Sequence, residues 1–165
     1  MESFQLVAIV ISILGLAASI TYYSSVLQNQ NKTRQAQLFM NLYGTYQTTE
    51  FKNIYTDILF HWEWENYEDW WGKYGADNNP KAFSDWNSIA GYCDGVGVLL
   101  KKNLVDIEMI DELLANTVIS LWDKMGPNIL EARDYRGSWR IPLGVLHMNF
   151  EYLYNELVKY RETNQ

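Results

Sequence analysis

The sequence predicts an all-α protein: one N-terminal transmembrane helix followed by a cytosolic bundle of about five or six helices. Three observations carry this. No charged residue occurs from Ser3 to Asn31. Beyond that, apolar residues recur at spacings of three and four, the period of a helix with one buried face. Runs that alternate apolar and polar residues are absent, and the Asp-Gly of "CDGVGVLL" sits inside a helical pattern rather than between two strands.

The anchor comes first in the chain. "LVAIVISILGLAASI" (Leu6 to Ile20) is almost wholly apolar, and its uncharged flanks extend it past the roughly 20 residues a helix needs to cross hydrocarbon. Tyr22 and Tyr23 fall where an interfacial aromatic belt would lie. A cleaved signal peptide is the rival reading, and Gly15 and Ala17 offer small residues for cleavage. Against it, Glu2 and no lysine or arginine precede the apolar run, a poor signal-peptide start. Residues 1–31 are therefore read as a transmembrane anchor and 32–165 as a soluble helical domain. Lys32 and Arg34 flank the span on one side only, which directs the C-terminal domain to the cytoplasm of a single-pass cell-membrane protein, with the N-terminus outside. That domain holds all 13 basic residues and 19 of the 20 acidic ones, a net charge of −6, so it should stand off an anionic leaflet. Within the span, Ala8, Ser12, Gly15 and Ser19 share one helical face of small residues, which suits close approach by a second helix. Small residues are also simply common in membrane helices.

The first soluble stripe is Leu38, Phe39, Leu42, Tyr43 and Tyr46. Thr48 or Thr49 offers an N-cap for the next helix, with Glu50 in its first turn and Phe51, Ile54, Tyr55, Ile58, Leu59 and Trp62 on its buried face. Asn66 can cap a short helix carrying Trp70 and Trp71. "GADNNP" is a loop, and Pro80 suits the start of the following helix. That helix carries Phe83, Trp86, Ala90, Cys93, Gly97 and Leu100. Its Gly91, Gly95 and Gly97 point to close packing against a neighbour; a flexible or ligand-approached segment is the alternative. "KKNLVD" is a turn with Asp106 as a cap. A helix follows with Ile107, Ile110, Leu113, Leu114, Thr117, Val118, Leu121, Trp122 and Met125 inward, and Gly126-Pro127 ends or kinks it. "NILEARDY" then reads as a short helix and "RGSWRIP" as a loop. The last helix buries Leu143, Leu146, Phe150, Leu153, Leu157 and Tyr160.

Composition excludes several functions. At 165 residues, 48% apolar and 20% charged, the chain can form one domain with a real core. Its formal charge of −7 repels a phosphate backbone, so nucleic acid is not an expected partner. Cys93 is alone and cannot form an internal disulfide, which fits a reducing compartment. His61 and His147 lie far apart, and no CxxC, HExxH, phosphate loop or nucleophile elbow occurs. No cofactor or metal is expected. His147 and Glu151 are an i, i+4 pair, read as a helix-surface contact. Cys93, on an apolar stripe, reads as a buried structural thiol, and Trp86, Trp122 and Trp139 as core anchors.

Two stretches stand out. "HWEWENYEDWW" (His61 to Trp71) holds four of the seven tryptophans and four carboxylates. Trp62, Glu63, Trp64, Glu65, Trp70 and Trp71 could form a cage for a small cation or a partner's lysine or arginine. The competing reading is a helix corner with two or three rings buried and the carboxylates in water. "EARDYRGSWR" places Arg133, Arg136 and Arg140 within eight residues. It reads either as surface or intramolecular pairing, for instance with the acidic corner, or as an anion site.

The order of segments also carries a resemblance. The uncharged span is followed by "NKTRQAQLFMNLY", "TTEFKNIYTDIL", the tryptophan-rich acidic stretch, "GVLLKKNLVD", "LWDKMGPNILEAR" and "FEYLYNELVKY". This resembles an uncharacterised prokaryotic domain-of-unknown-function family of small membrane-anchored helical proteins, over nearly the whole chain. The resemblance implies one membrane helix and a cytosolic bundle, and no activity, cofactor or catalytic residue. The expected function is a membrane-tethered adaptor or a small subunit of a membrane complex, with the bilayer and a protein partner or second copy as its partners. A sensor using the aromatic-acidic corner at 61–71 is the alternative, and an enzyme is third.

Overall fold

A computed structural model describes residues 2–134 and 146–164. Among the described residues there are six helices and no strand: α1 (Glu2–Tyr46), α2 (Thr49–Phe60), α3 (Tyr67–Tyr74), α4 (Pro80–Lys101), α5 (Ile107–Asp134) and α6 (Met148–Asn164). They fall into two compact units that meet between Gln37 and Leu38.

The first unit is helical and apolar. Ser3–Tyr46 is long and apolar enough to cross a membrane; its most apolar stretch has a mean hydropathy of 2.2 and no buried residue. Its hydroxyls fold back on their own helix: Ser12 donates to the Ala8 carbonyl at 2.8 Å and Ser19 to that of Gly15 at 2.8 Å. Such bonds satisfy a polar side chain without a neighbour.

The second unit, from Leu38 on, has its own core. α4 and α6 pack together most extensively, α5 packs against α6, and α2 and α3 each lie on α4 and α5. Ile58, Ile89, Ile110, Leu121, Met125, Phe150, Leu153 and Leu157 are fully enclosed. Phe39 joins this core, and a chain of ring contacts runs from it through Tyr43, Tyr46 and Phe51 to Tyr92.

The helix starts follow local chemistry. Thr48 caps α2 by accepting from Phe51 N–H at 3.2 Å. Asn66 caps α3 and Asn79 caps α4, where Pro80 opens the helix. α4 ends in a Schellman motif: Asn103 takes a left-handed φ of 54°, its N–H donates to Leu100 and that of Leu104 to Leu99.

Several expectations need correction. α5 does not end at Gly126-Pro127, and "NILEARD" forms its last turns. Proline removes one N–H from a helix, but Leu121, Met125, Ile129 and Ala132 are buried on both sides of it, and this burial holds the helix together. Gly126 leaves room for the Trp122 ring, which an added Cβ would meet at 2.8 Å. Leu113 is exposed rather than inward. Gly97 does pack closely, because a Cβ there would overlap the Asn149 carbonyl, whereas Cβ atoms at Gly91 and Gly95 would meet nothing within 4 Å. α6 begins later than its apolar pattern implies. His147, at φ 52°, breaks the helix, and Asp94 on α4 caps α6 by accepting from Asn149 N–H at 3.1 Å and Phe150 N–H at 2.9 Å. Leu143 and Trp139 lie outside the described residues.

Candidate functional site

The acidic corner is built around a stack. α2 stops at Phe60, and Trp62, buried, lies flat on Tyr74 of α3 at 4.1 Å between centroids. Its Nε1 donates to Asp57 Oδ2 at 2.9 Å. Trp64 is half-buried, edge-on to Tyr74. The Tyr74 hydroxyl accepts from Glu63 N–H at 3.0 Å. Glu63, Glu65 and Glu68 are exposed. Asp69 accepts from Glu65 N–H at 3.1 Å and from Lys73 at 2.8 Å. The lysine bond holds the Asp69 carboxyl below its usual range, and the same bond raises the Lys73 ammonium.

The face of Trp64 already has a cation. Lys124 of α5 sits 5.3 Å from its centroid and donates to the Leu59 and Trp62 carbonyls at 3.1 and 2.7 Å. A helix leaves its last carbonyls without intrahelical partners; Lys124 satisfies that of Leu59 in the last turn of α2 and that of Trp62 just beyond it. The groove here, about 660 Å³, is lined by Trp62, Glu63, Trp64, Glu65, Lys73, Asp123 and Lys124. Its carboxylates therefore share the space with two of the protein's own ammonium groups.

The arginine cluster is placed only in part. Arg133 donates to Glu151 Oε2 at 2.6 Å and to the Leu146 carbonyl at 2.8 Å, so it pairs within the molecule but not with the acidic corner. Glu151 thus faces Arg133 rather than His147. His147 is buried and its Nδ1 lies 2.6 Å from Asp94 Oδ2. Arg136 and Arg140 lie outside the described residues. In the first unit, Ala8 and Ser12 line a shallow groove of about 310 Å³ with Ile9, Ile13 and Leu16; Gly15 and Ser19 follow on the same helix.

A second cavity, about 210 Å³, opens between α3, α4, α5 and the residues leading into α6. The described residues that line it include Trp70, Trp71, Phe83, Trp86, Asn128 and His147. Its lining shares no described residue with that of the acidic groove: Trp62 and Trp64 line the groove, and Trp70 and Trp71 line the cavity. Trp70 and Asn128 each carry a buried side-chain atom, Nε1 and Oδ1, without a hydrogen-bond partner. Leaving such a group unpaired costs about 1–3 kcal/mol each.

Sequence reasoning reached Trp70 and Trp71 but not Asn128, His147 or Lys124 as members of these sites. Asn128 was visible in principle: on an unbroken α5 it follows Leu121 and Met125 on the buried face, and a polar residue on such a face is informative. Lys124 gave no signal, since its partners are backbone carbonyls of another helix. Among the described residues, no group of three or more His, Cys, Asp or Glu side chains could hold a metal ion.

A family model described as a domain of unknown function, DUF4760, matches residues 3–156. The chain belongs to the DUF4760 family. No curated protein matches, and no solved structure matches. The match runs through the DUF4760 residues that build both the corner and the cavity, and through the apolar helix as well.

Proposed function

We propose that this DUF4760 protein is a membrane-tethered accessory module, an adaptor or a small subunit of a membrane complex. The observation that supports it most is the contrast between the two units. The first exposes a helix with a mean hydropathy of 2.2. The second encloses its own core. A soluble chain would hide such a helix, since burial of apolar surface is what drives folding. In this reading residues 1–31 cross the cell membrane once, the N-terminus lies outside, and Lys32 and Arg34 hold residues 32–165 in the cytoplasm. The face of Ala8, Ser12, Gly15 and Ser19 meets a partner's helix or a second copy. Because both serine hydroxyls are satisfied within the helix, that contact rests on close packing rather than on hydrogen bonds between helices. Nucleic acid is not a partner of so acidic a domain.

Fractionation tests the reading. The protein should stay with membranes after an alkaline wash, and protease added to intact cells should spare the domain. Release by alkali, or external cleavage within Lys32–Gln165, would overturn it.

A further inference from the structure

We propose that the cavity between α3, α4, α5 and the residues leading into α6 binds an uncharged, apolar aromatic molecule of two fused rings. Size is the first argument. Engineered apolar cavities of about 150 Å³ take up benzene. This cavity measures about 210 Å³, roughly 1.4 times as much, which suits a fused pair of rings better than a single one. Access is the second. The cavity is partly open. Trp71 and Phe83 in its wall are half-buried, so their side chains keep surface that a guest can cover.

The chemistry of the walls gives the third argument and defines the guest. The described walls are mostly apolar, with Trp71, Phe83, Trp86, Ile129, Ala132 and Leu146 among them. No carboxylate, lysine or arginine is among the described walls, so a charged guest would lose its hydration without gaining a counter-charge. Two of the polar side chains are already engaged within the protein: Asn87 donates to the Phe83 carbonyl at 2.7 Å, and His147 Nδ1 pairs with Asp94 at 2.6 Å. An ordered water needs two to four polar partners, and these two groups offer it fewer. The rings also brace one another. Trp71 stands edge-on to Phe83 at 5.6 Å, and Trp86 edge-on to His147 at 5.6 Å. Walls held in this way need little ordering when a guest arrives. Aromatic rings pair offset-stacked or edge-to-face and gain more than the area they bury. A flat aromatic guest therefore suits these walls better than its saturated counterpart, which is thicker and has no π-face.

Fluorine NMR of 1-fluoronaphthalene with the full-length chain in lipid nanodiscs tests this; empty nanodiscs give the signal of guest dissolved in lipid. Wild type should add a second, saturable resonance. That guest should show through-space contacts to the methyl groups of Ala132 and Ile129, which places it in the cavity. Naphthalene should displace it, decalin at least tenfold less well, and 1-naphthoate not at all. Ala132→Phe should fill the cavity and abolish the resonance. Phe83→Leu keeps an apolar side chain but removes a ring, and should weaken binding about two- to tenfold, the range for aromatic pairs. Near-ultraviolet circular dichroism confirms that each variant is folded, and the wild-type contacts decide the matter if Ala132→Phe is not. No second resonance in wild type would overturn the proposal and leave the cavity to water. So would a resonance without contacts to Ala132 and Ile129, equal displacement by decalin and naphthalene, displacement by 1-naphthoate, or unchanged affinity in Phe83→Leu.

Discussion

Trp62 shows how one ring can hold several elements. It is 4% exposed, stacks on Tyr74 and donates to Asp57. Trp62→Ala should cost about 3–5 kcal/mol, the range for large core aromatics, read as a lower melting temperature. Glu63→Gln with Glu65→Gln should change the melt little, because exposed charges seldom matter for stability. A melt raised by an added amine in wild type but not in that double variant would sink the structural view of the corner. Cys93 and Tyr92 set the alkaline limit. Burial pushes both groups up from ordinary values of 9.0 and 10.0. Each is raised, so its contribution is complete below the unfolded value and is lost as pH rises, when the unfolded chain ionises and the folded one does not. Stability should therefore hold to about pH 9 and fall above it; Cys93→Ala should move the onset toward pH 10, as melts from pH 8 to 11 would show. At this scale the sequence was most legible where a residue acts on its neighbours. The buried Trp62 and Cys93 and the cap at Asn66 follow from local spacing. Lys124 and His147 act on distant partners, and local spacing says nothing of those.

The helices divide in the same way. α2, α3 and α4 begin where Thr48, Asn66 and Asn79 with Pro80 mark them, since a cap is a contact three residues long. The continuity of α5 was not legible, because the burial that outweighs Pro127 belongs to the tertiary structure. Glycines give a paired test along α4. Gly97→Ala would drive a methyl group into the Asn149 carbonyl and force α4 from α6, so it should destabilise by about 1–3 kcal/mol, as overpacking does. Gly91→Ala and Gly95→Ala meet open space and should instead stabilise by up to about 1 kcal/mol through helix propensity. Chemical denaturation of the three variants separates packing from propensity; a common sign for all three would contradict the assignment.

For the molecule as a whole, the fold class was legible because it depends on composition and period: an uncharged run, then helices with one apolar stripe. The cavity was not, because its walls come from Tyr67 through His147 and meet only when the helices pack. The proposed membrane contact is also a property of the whole molecule. Gly15→Leu should weaken crosslinking between copies, or to a partner, in bilayers by denying close approach, while the melt of the second unit stays unchanged. Equal crosslinking would reduce the small-residue face to composition.

Asp94 ties the first turn of α6 to α4 across more than fifty positions. Its consequence is kinetic. A helix pays its entropy in the first turn, and here the group that closes that turn arrives only with another helix. α6 should therefore form late, after α4 has docked, and Asp94→Ala should act chiefly by speeding unfolding rather than by slowing refolding. Stopped-flow refolding of that variant would show a nearly unchanged folding limb and a faster unfolding limb.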